Sequence, residues 1–318
     1  MPSNIPATQE RLEPFYMGQL GVDGSDVPLG IKTGIGNVIY VGTAAASNLI
    51  EPLDGNDGTR WNSPKAAVQA ALDACVDGQG DMVCLLPGSY VLTEALTMTK
   101  DRVRLFAWDW DKGAYAPSVV IQSNTYDHDL LEIDANQCEI AGIRWANSGT
   151  GAFDCIKVAV NSSVIGLDIH DCRFSYGRSG IFVGAGGVCQ DFNFHDSYFV
   201  AYNSTANTAG IVFMLAMQGL VEDNYMYTGH SGTYNINFTK DRPFTGVMIR
   251  RNDLVVQETN GVAIYRASDQ VIASMHHNYV SGGPAATTAI TQRNDGGACA
   301  VNNYCSSGVG GVLIDATT

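Results

Sequence analysis

One six-residue pattern recurs through the second half of the chain, and it restricts the fold more than any other feature. It occupies residues 169–174 (IHDCRF), 194–199 (FHDSYF), 221–226 (VEDNYM), 249–254 (IRRNDL), 275–280 (MHHNYV) and 300–305 (AVNNYC). Each copy reads apolar, two mostly polar residues, a small polar residue or Cys, any residue, apolar. The interval is about 25 to 29 residues, within the solenoid range. Between the copies lies a second signal: Gly180-Ile181, Gly210-Ile211, Gly261-Val262 and Gly311-Val312, with Asn235-Ile236 and Ala289-Ile290 set in the same register. Inward positions within a unit are three apart and then two apart. A strand alternates every two residues, so the odd step requires a corner. Short strands joined by corners and stacked in parallel meet that requirement.

This reading predicts an all-β chain, a right-handed parallel β-helix. Cys172, Ser197, Asn224, Asn252, Asn278 and Asn303 should form one inward column, whose amides satisfy backbone groups at the turn. Phe174, Phe199, Met226, Leu254, Val280 and Cys305 should form an apolar column beside it. Leucine-rich spacing is absent, and a propeller blade needs about 40 residues per unit.

Ahead of the repeat, residues 38–41 read as a strand and are followed by the turn Asp54-Gly55-Asn56-Asp57-Gly58. Ser63 fits a helix N-cap and Pro64 the first helical position. Val68, Leu72, Cys75 and Val76 make an apolar stripe, and Gly78 a stop. Residues 84–92, 96–98 and 103–106 read as short strands. The division expected is an extended arm over residues 1–36 and a β-helix domain over 37–318, with a helix at about 63–77 capping its open end.

The run from Asp54-Gly55-Asn56-Asp57-Gly58 through Ser63-Pro64, the helix, Leu86-Pro87-Gly88-Ser89-Tyr90 and Leu96-Thr97 resembles the start of the pectate-lyase-like β-helix superfamily. The resemblance covers roughly residues 38–318. That superfamily includes bacteriophage tailspikes and other virion proteins, alongside lyases, hydrolases and non-enzymatic scaffolds.

Chemistry has few candidates. Asp171, Asp196 and Asp223 should stack on consecutive rungs about 4.8 Å apart, next to a column of His170, His195, Glu222, Arg250 and His276. Stacked carboxylates raise one another's pKa and can supply a general acid, as glycoside hydrolysis requires; the other reading is a solvated polar face balanced by His and Arg. Thr228-Gly229-His230-Ser231-Gly232 resembles the Gly-His-Gly motif of polygalacturonases, with Ser231 displacing the second Gly and no paired-Asp motif before it. Asp196 and Asp223 beside Arg251 meet loosely the carboxylate-plus-Arg need of a Ca²⁺-dependent pectate lyase. Asp54, Asn56 and Asp57 are the candidate Ca²⁺ ligands, with a plain turn as the alternative. The tyrosines frequent on the repeats suit either sugar stacking or a subunit interface.

The formal net charge of −14 argues against nucleic acid and anionic membranes as partners. No stretch is long and apolar enough to span a membrane, and the N-terminus lacks a secretion signal. The eight cysteines form no C-x-x-C pair and read as buried free thiols, with Cys75–Cys84 the one disulfide entertained. In the arm, Arg11, Phe15, Tyr16 and Met17 cluster without a periodic face to fold on, which points to docking on other virion proteins. The function expected is a phage virion structural protein, a capsid decoration or tail-associated spike, assembled as a homotrimer and needing no cofactor. The alternatives are a polysaccharide depolymerase, lyase or glycoside hydrolase, and a glycan-binding adhesin on the same scaffold.

Overall fold

The computed structural model describes residues 36–43, 51–109, 114, 116–125, 127–147, 153–158, 163–184, 188–201, 209–228, 234–238, 244–256, 262–266, 271–282, 288–290, 299–301 and 303–305. His230, Arg11, Phe15, Tyr16, Met17 and the Gly311-Val312 pair lie outside these residues.

The chain coils into a parallel β-solenoid with three sheets of eleven, nine and eight strands. A representative turn runs from Cys189–His195 in the first sheet to Tyr198–Ala201 in the second and Ala209–Phe213 in the third. The next turn lays Ala216–Glu222, Tyr225–Thr228 and Tyr234–Phe238 on top, every pair parallel and in register. Trp145, Phe174, Phe199, Met226, Leu254 and Val280 stack as the apolar column in the second sheet, all fully buried. The Phe174 and Phe199 rings lie 4.5 Å apart and 13° from parallel. In the third sheet the matching column is Ile181, Ile211, Ile236, Ile264 and Ile290. Val262 pairs with Tyr234, so Ile264 rather than Val262 stands in this column; Gly261 lies outside the described residues.

The odd step in the repeat is made by one residue. Gly142, Asp171, Asp196, Asp223, Arg251 and His277 all have φ between 49° and 71° and lie at the corner between the first and second sheets. One left-handed residue inverts the in–out alternation, so Ile169, Cys172 and Phe174 all point inward. A second left-handed column sits five residues earlier on each rung: Gln137, Gly166, Asp191, Gln218 and Gly246. It brings Phe192 into the core, where the facing residue must lack a side chain; a Cβ on Gly219 would lie 2.1 Å from the Phe192 ring.

Beside the corner the buried asparagines form a continuous ladder. The Asn224, Asn252 and Asn278 amides donate to the next rung's Oδ1 at 2.9–3.0 Å and to a carbonyl of the preceding rung at 2.9–3.0 Å. The same Oδ1 atoms also accept corner N–H groups: Ser197 N–H donates to Asn224 Oδ1, and the N–H of Asn224, Asn252 and Asn278 each donates to the Oδ1 of the next asparagine, at 3.0–3.1 Å.

The helix is shorter than the expected 63–77 and covers Val68–Ala74. Ser63 is not its N-cap. Lys65 is held in a parallel bridge to Val41, and Gly42 N–H and Lys65 N–H complete that pairing, so the backbone there is extended rather than helical. The helix ends at Ala74, ahead of Gly78, because Val76 N–H is claimed by the buried Asp81 carboxylate, which also holds Asn37 N–H. Val76 is consequently exposed. Val68, Ala71 and Leu72 are buried in the end of the core. Gln69 reaches the terminal strand Leu96–Met98 of the third sheet, where its amide both accepts from Thr97 N–H (2.8 Å) and donates to Thr97 O (3.2 Å). A side-chain amide thus stands in for a further strand on an edge that would otherwise template pairing.

Cys75 and Cys84 are free and cannot meet: Cys75 lies in the solenoid core, while Cys84 lies in a separate apolar cluster with Tyr40, Met82, Leu86 and Phe106. Replacing Asn252 by Ala leaves buried donors and acceptors on three rungs unpaired. At about 1–3 kcal/mol each, it is expected to lower the melting temperature more than Phe199→Ala, a cavity worth about 3–5 kcal/mol, as read by thermal denaturation of both variants.

Candidate functional site

The first sheet turns one column outward beside the corner: Ala141, His170, His195, Glu222, Arg250 and His276. With the corner residues it forms an ionic ladder running along the solenoid. The column of acids foreseen in the sequence is therefore present, and the structure places a His or Arg against each member. Asp171 Oδ2 lies 2.8 Å from His170 Nδ1, and Asp196 Oδ2 lies 2.7 Å from His195 Nδ1. Arg251 grips Asp223 at both oxygens, Nε to Oδ1 at 2.9 Å and Nη2 to Oδ2 at 2.6 Å, and also reaches Glu222, which Arg250 holds at 2.6 Å.

The two imidazoles stack at 4.9 Å, 9° from parallel. Carboxylates stand at both ends: His170 Nε2 is 3.3 Å from Glu139 Oε1, and His195 Nε2 is 3.2 Å from Asp168 Oδ1. Burial alone would depress the His170 pKa, but its hydrogen bonds to Asp171 and Glu139 and the charge of Asp168 outweigh that and push it up to about 10. His195 moves upward for the same reasons, with Asp168 and Asp196 as its partners. Asp223 moves the opposite way from a carboxylate poised as an acid: the Arg251 hydrogen bond holds it below the usual range. Farther along, His276 is lowered by burial and by the neighbouring His277, Arg250 and Arg251.

A second cluster was not singled out from the sequence. Asp154 is fully buried between the second and third sheets, where Arg178 Nε (2.8 Å) and Ser179 Oγ (2.5 Å) donate to it and Arg178 Nη2 makes a further close contact. Burial raises its pKa against the pull of Arg178. Its own N–H donates to Asp129, which Lys157 pairs at 3.0 Å. Each acid of the cluster is paired with a base on a neighbouring rung, and the Arg178 and Lys157 side chains are partly exposed, which suits bracing of adjacent rungs better than catalysis.

The Asp54–Gly58 loop encloses a cation of its own. Lys65 Nζ, buried, donates to the carbonyls of Asp54 (3.1 Å) and Asn56 (2.8 Å). The remaining polar groups are also engaged: Asp54 Oδ1 accepts Ala67 N–H at 2.7 Å, Asp57 Oδ1 accepts Thr59 N–H at 2.9 Å, and Asn56 Nδ2 donates to Pro64 O at 2.8 Å. Two carbonyls that could coordinate Ca²⁺ thus already face an ammonium. Among the described residues no group of three or more His, Cys, Asp or Glu is disposed to hold a metal, and no helix is long and apolar enough to cross a membrane.

No family model matches the chain, and no curated protein does. Among solved structures it is similar to ORF18 of Geobacillus virus E2, at 10% identity and a TM-score of 0.28 over 67% of this chain and 48% of that one. It is also similar to a GH136 lacto-N-biosidase from Eubacterium ramulus, at 13% identity and a TM-score of 0.21 over 85% and 68% of the two chains. The chain spans about half the length of the viral protein.

Two measurements check this site. A histidine whose folded pKa is raised contributes stability that is complete below its unfolded pKa of about 6.5 and disappears as pH climbs through about 10. The wild type is therefore expected to lose on the order of 5 kcal/mol from His170 over that window. His170→Gln should show a flatter melting-temperature profile. Separately, Lys65→Met is expected to cost about 2–3 kcal/mol by stranding two carbonyls. Calcium chloride should not raise the melting temperature of the wild type, and an upward shift of several degrees would mean the loop takes the ion.

Proposed function

We propose that this protein is a non-catalytic structural component of a phage particle, a capsid-surface decoration or tail-associated spike, built as a rigid β-solenoid and attached through residues 1–36. The observation that carries the reading is the state of the acid column. General acid–base chemistry needs a carboxylate free to exchange its proton with substrate, whereas Asp171, Asp196 and Asp223 are each hydrogen-bonded to a His or Arg of their own ladder. Their left-handed corner geometry gives them a structural reason to be there. Asp tolerates that conformation better than most residues.

The solenoid buries its core within one chain and needs no partner for stability. The arm differs: Phe15, Tyr16 and Met17 gain about 1.5–3 kcal/mol each on full burial and are suited to a partner's pocket. A homotrimer of the solenoids, with the arms docked on other virion proteins, agrees with this division. Light scattering of the purified protein is then expected to give about three times 33.9 kDa. Deleting residues 1–30 should leave a chain with unchanged melting temperature that no longer enters its particle. The reading fails if the truncated chain assembles normally. It also fails if the wild type releases reducing ends from a polysaccharide and Asp196→Asn does not.

A further inference from the structure

We propose that His276 and His277 form a site for one divalent transition-metal ion of square-planar or tetragonal preference, Cu²⁺ foremost, held by the two Nδ1 atoms at the corner that follows strand Val271–His276. The corner builds such a pair in the same way on three rungs. Asp171, Asp196 and His277 are left-handed residues, with φ of 52°, 49° and 57°, and each turns its side chain back onto the residue before it. On the first two rungs the contact joins a carboxylate to His170 Nδ1 at 2.8 Å and to His195 Nδ1 at 2.7 Å. On the third an imidazole takes the place of the carboxylate. Two Nδ1 atoms then face each other at 3.0 Å, with the rings edge to face at 88°.

The separation selects the ion. With bonds of about 2.0–2.1 Å, the length zinc makes to imidazole, two nitrogens at tetrahedral positions lie about 3.3–3.4 Å apart. At neighbouring corners of a square the same bonds put them about 2.8–3.0 Å apart. The observed 3.0 Å matches the square, which is the geometry of Cu²⁺ and Ni²⁺, and the affinity order of the divalent ions puts Cu²⁺ first.

The surroundings keep the pair available. A metal takes neutral imidazole. His170 and His195 are each set against two carboxylates that favour their protonated form, whereas burial, His277, Arg250 and Arg251 all disfavour a proton on His276. Arg250 stands beside His276 in register, but Arg250 and Arg251 are paired with Glu222 and Asp223, so the rungs behind the site carry no net charge from these four groups. The register partner on the other side is Val301. On binding, the ring that donates moves its proton from Nδ1 to Nε2, so both Nδ1 lone pairs meet the ion and no proton is released. His277 is exposed, which leaves the other coordination positions to water. The site is independent of the attachment role argued above.

Titration calorimetry of the full-length, tag-free chain with copper(II) chloride and with zinc chloride at pH 7.5 tests it. One Cu²⁺ per chain is expected to bind with a Kd of about 100 μM or tighter, and Zn²⁺ more weakly than Cu²⁺. His276→Gln and His277→Asn should each weaken Cu²⁺ binding about tenfold or more; Asn is chosen because it tolerates the left-handed corner. Matching melting temperatures verify that the variants are folded, and His276→Ala and His277→Gly replace any that is not. The proposal is overturned if Cu²⁺ binds more weakly than that level or if either variant loses less than tenfold, which would put the copper elsewhere on the chain. It is also overturned if Zn²⁺ binds as tightly as Cu²⁺.

Discussion

The structure depends on one arrangement: a single left-handed residue turns the chain between the first and second sheets, and the buried side chain after it replaces the hydrogen bonds that the turn removes. A corner built on one left-handed residue is a tight way to change sheets. It also exposes the backbone N–H of the following residue to a core that offers no water. Asn resolves this because one amide both donates and accepts. Its Oδ1 takes the N–H of the preceding rung while its Nδ2 reaches a carbonyl there and the Oδ1 of the next. Each rung is thereby specified by its neighbours, and the ladder becomes stronger with each copy added. The aromatic and aliphatic stacks inside the coil supply most of the burial, but they would tolerate a slip between rungs. The amide ladder does not.

On the outer side of the same corner the ladder continues in charged form. Stacking places like residues a rung apart, which would be repulsive for carboxylates alone. Each acid is set instead beside a His or Arg, and the two stacked imidazoles are held between Glu139, Asp168, Asp171 and Asp196. This explains how acids and histidines come to be concentrated on one face without forming a reactive centre. The groups satisfy each other, and their shifted pKa values record that pairing.

Much of this was legible in the sequence because a solenoid writes its three-dimensional columns as intervals. The apolar column through Phe174 and Phe199 and the polar column through Asn224 and Asn252 followed from the six-residue pattern. So did the outward column through His170 and His195. The second left-handed column was not legible, since Gln137, Asp191 and Gln218 share no residue type with Gly166 and Gly246. The helix was placed too early because Ser63-Pro64 is a local start signal, and local signals do not report that Lys65 is held to Val41 in another part of the chain. The same lysine was invisible as the partner of the Asp54–Gly58 loop.

The account is tested most directly by native-state hydrogen exchange at the backbone amides of Ser197, Asn224, Asn252 and Asn278. Each follows a turn residue, and turn amides ordinarily exchange through small local openings. Here each donates to the buried Oδ1 of the next rung at 3.0–3.1 Å. The account predicts that these four exchange only through global unfolding, as slowly as the central strands of the sheets. Exchange at rates typical of surface turns would contradict it.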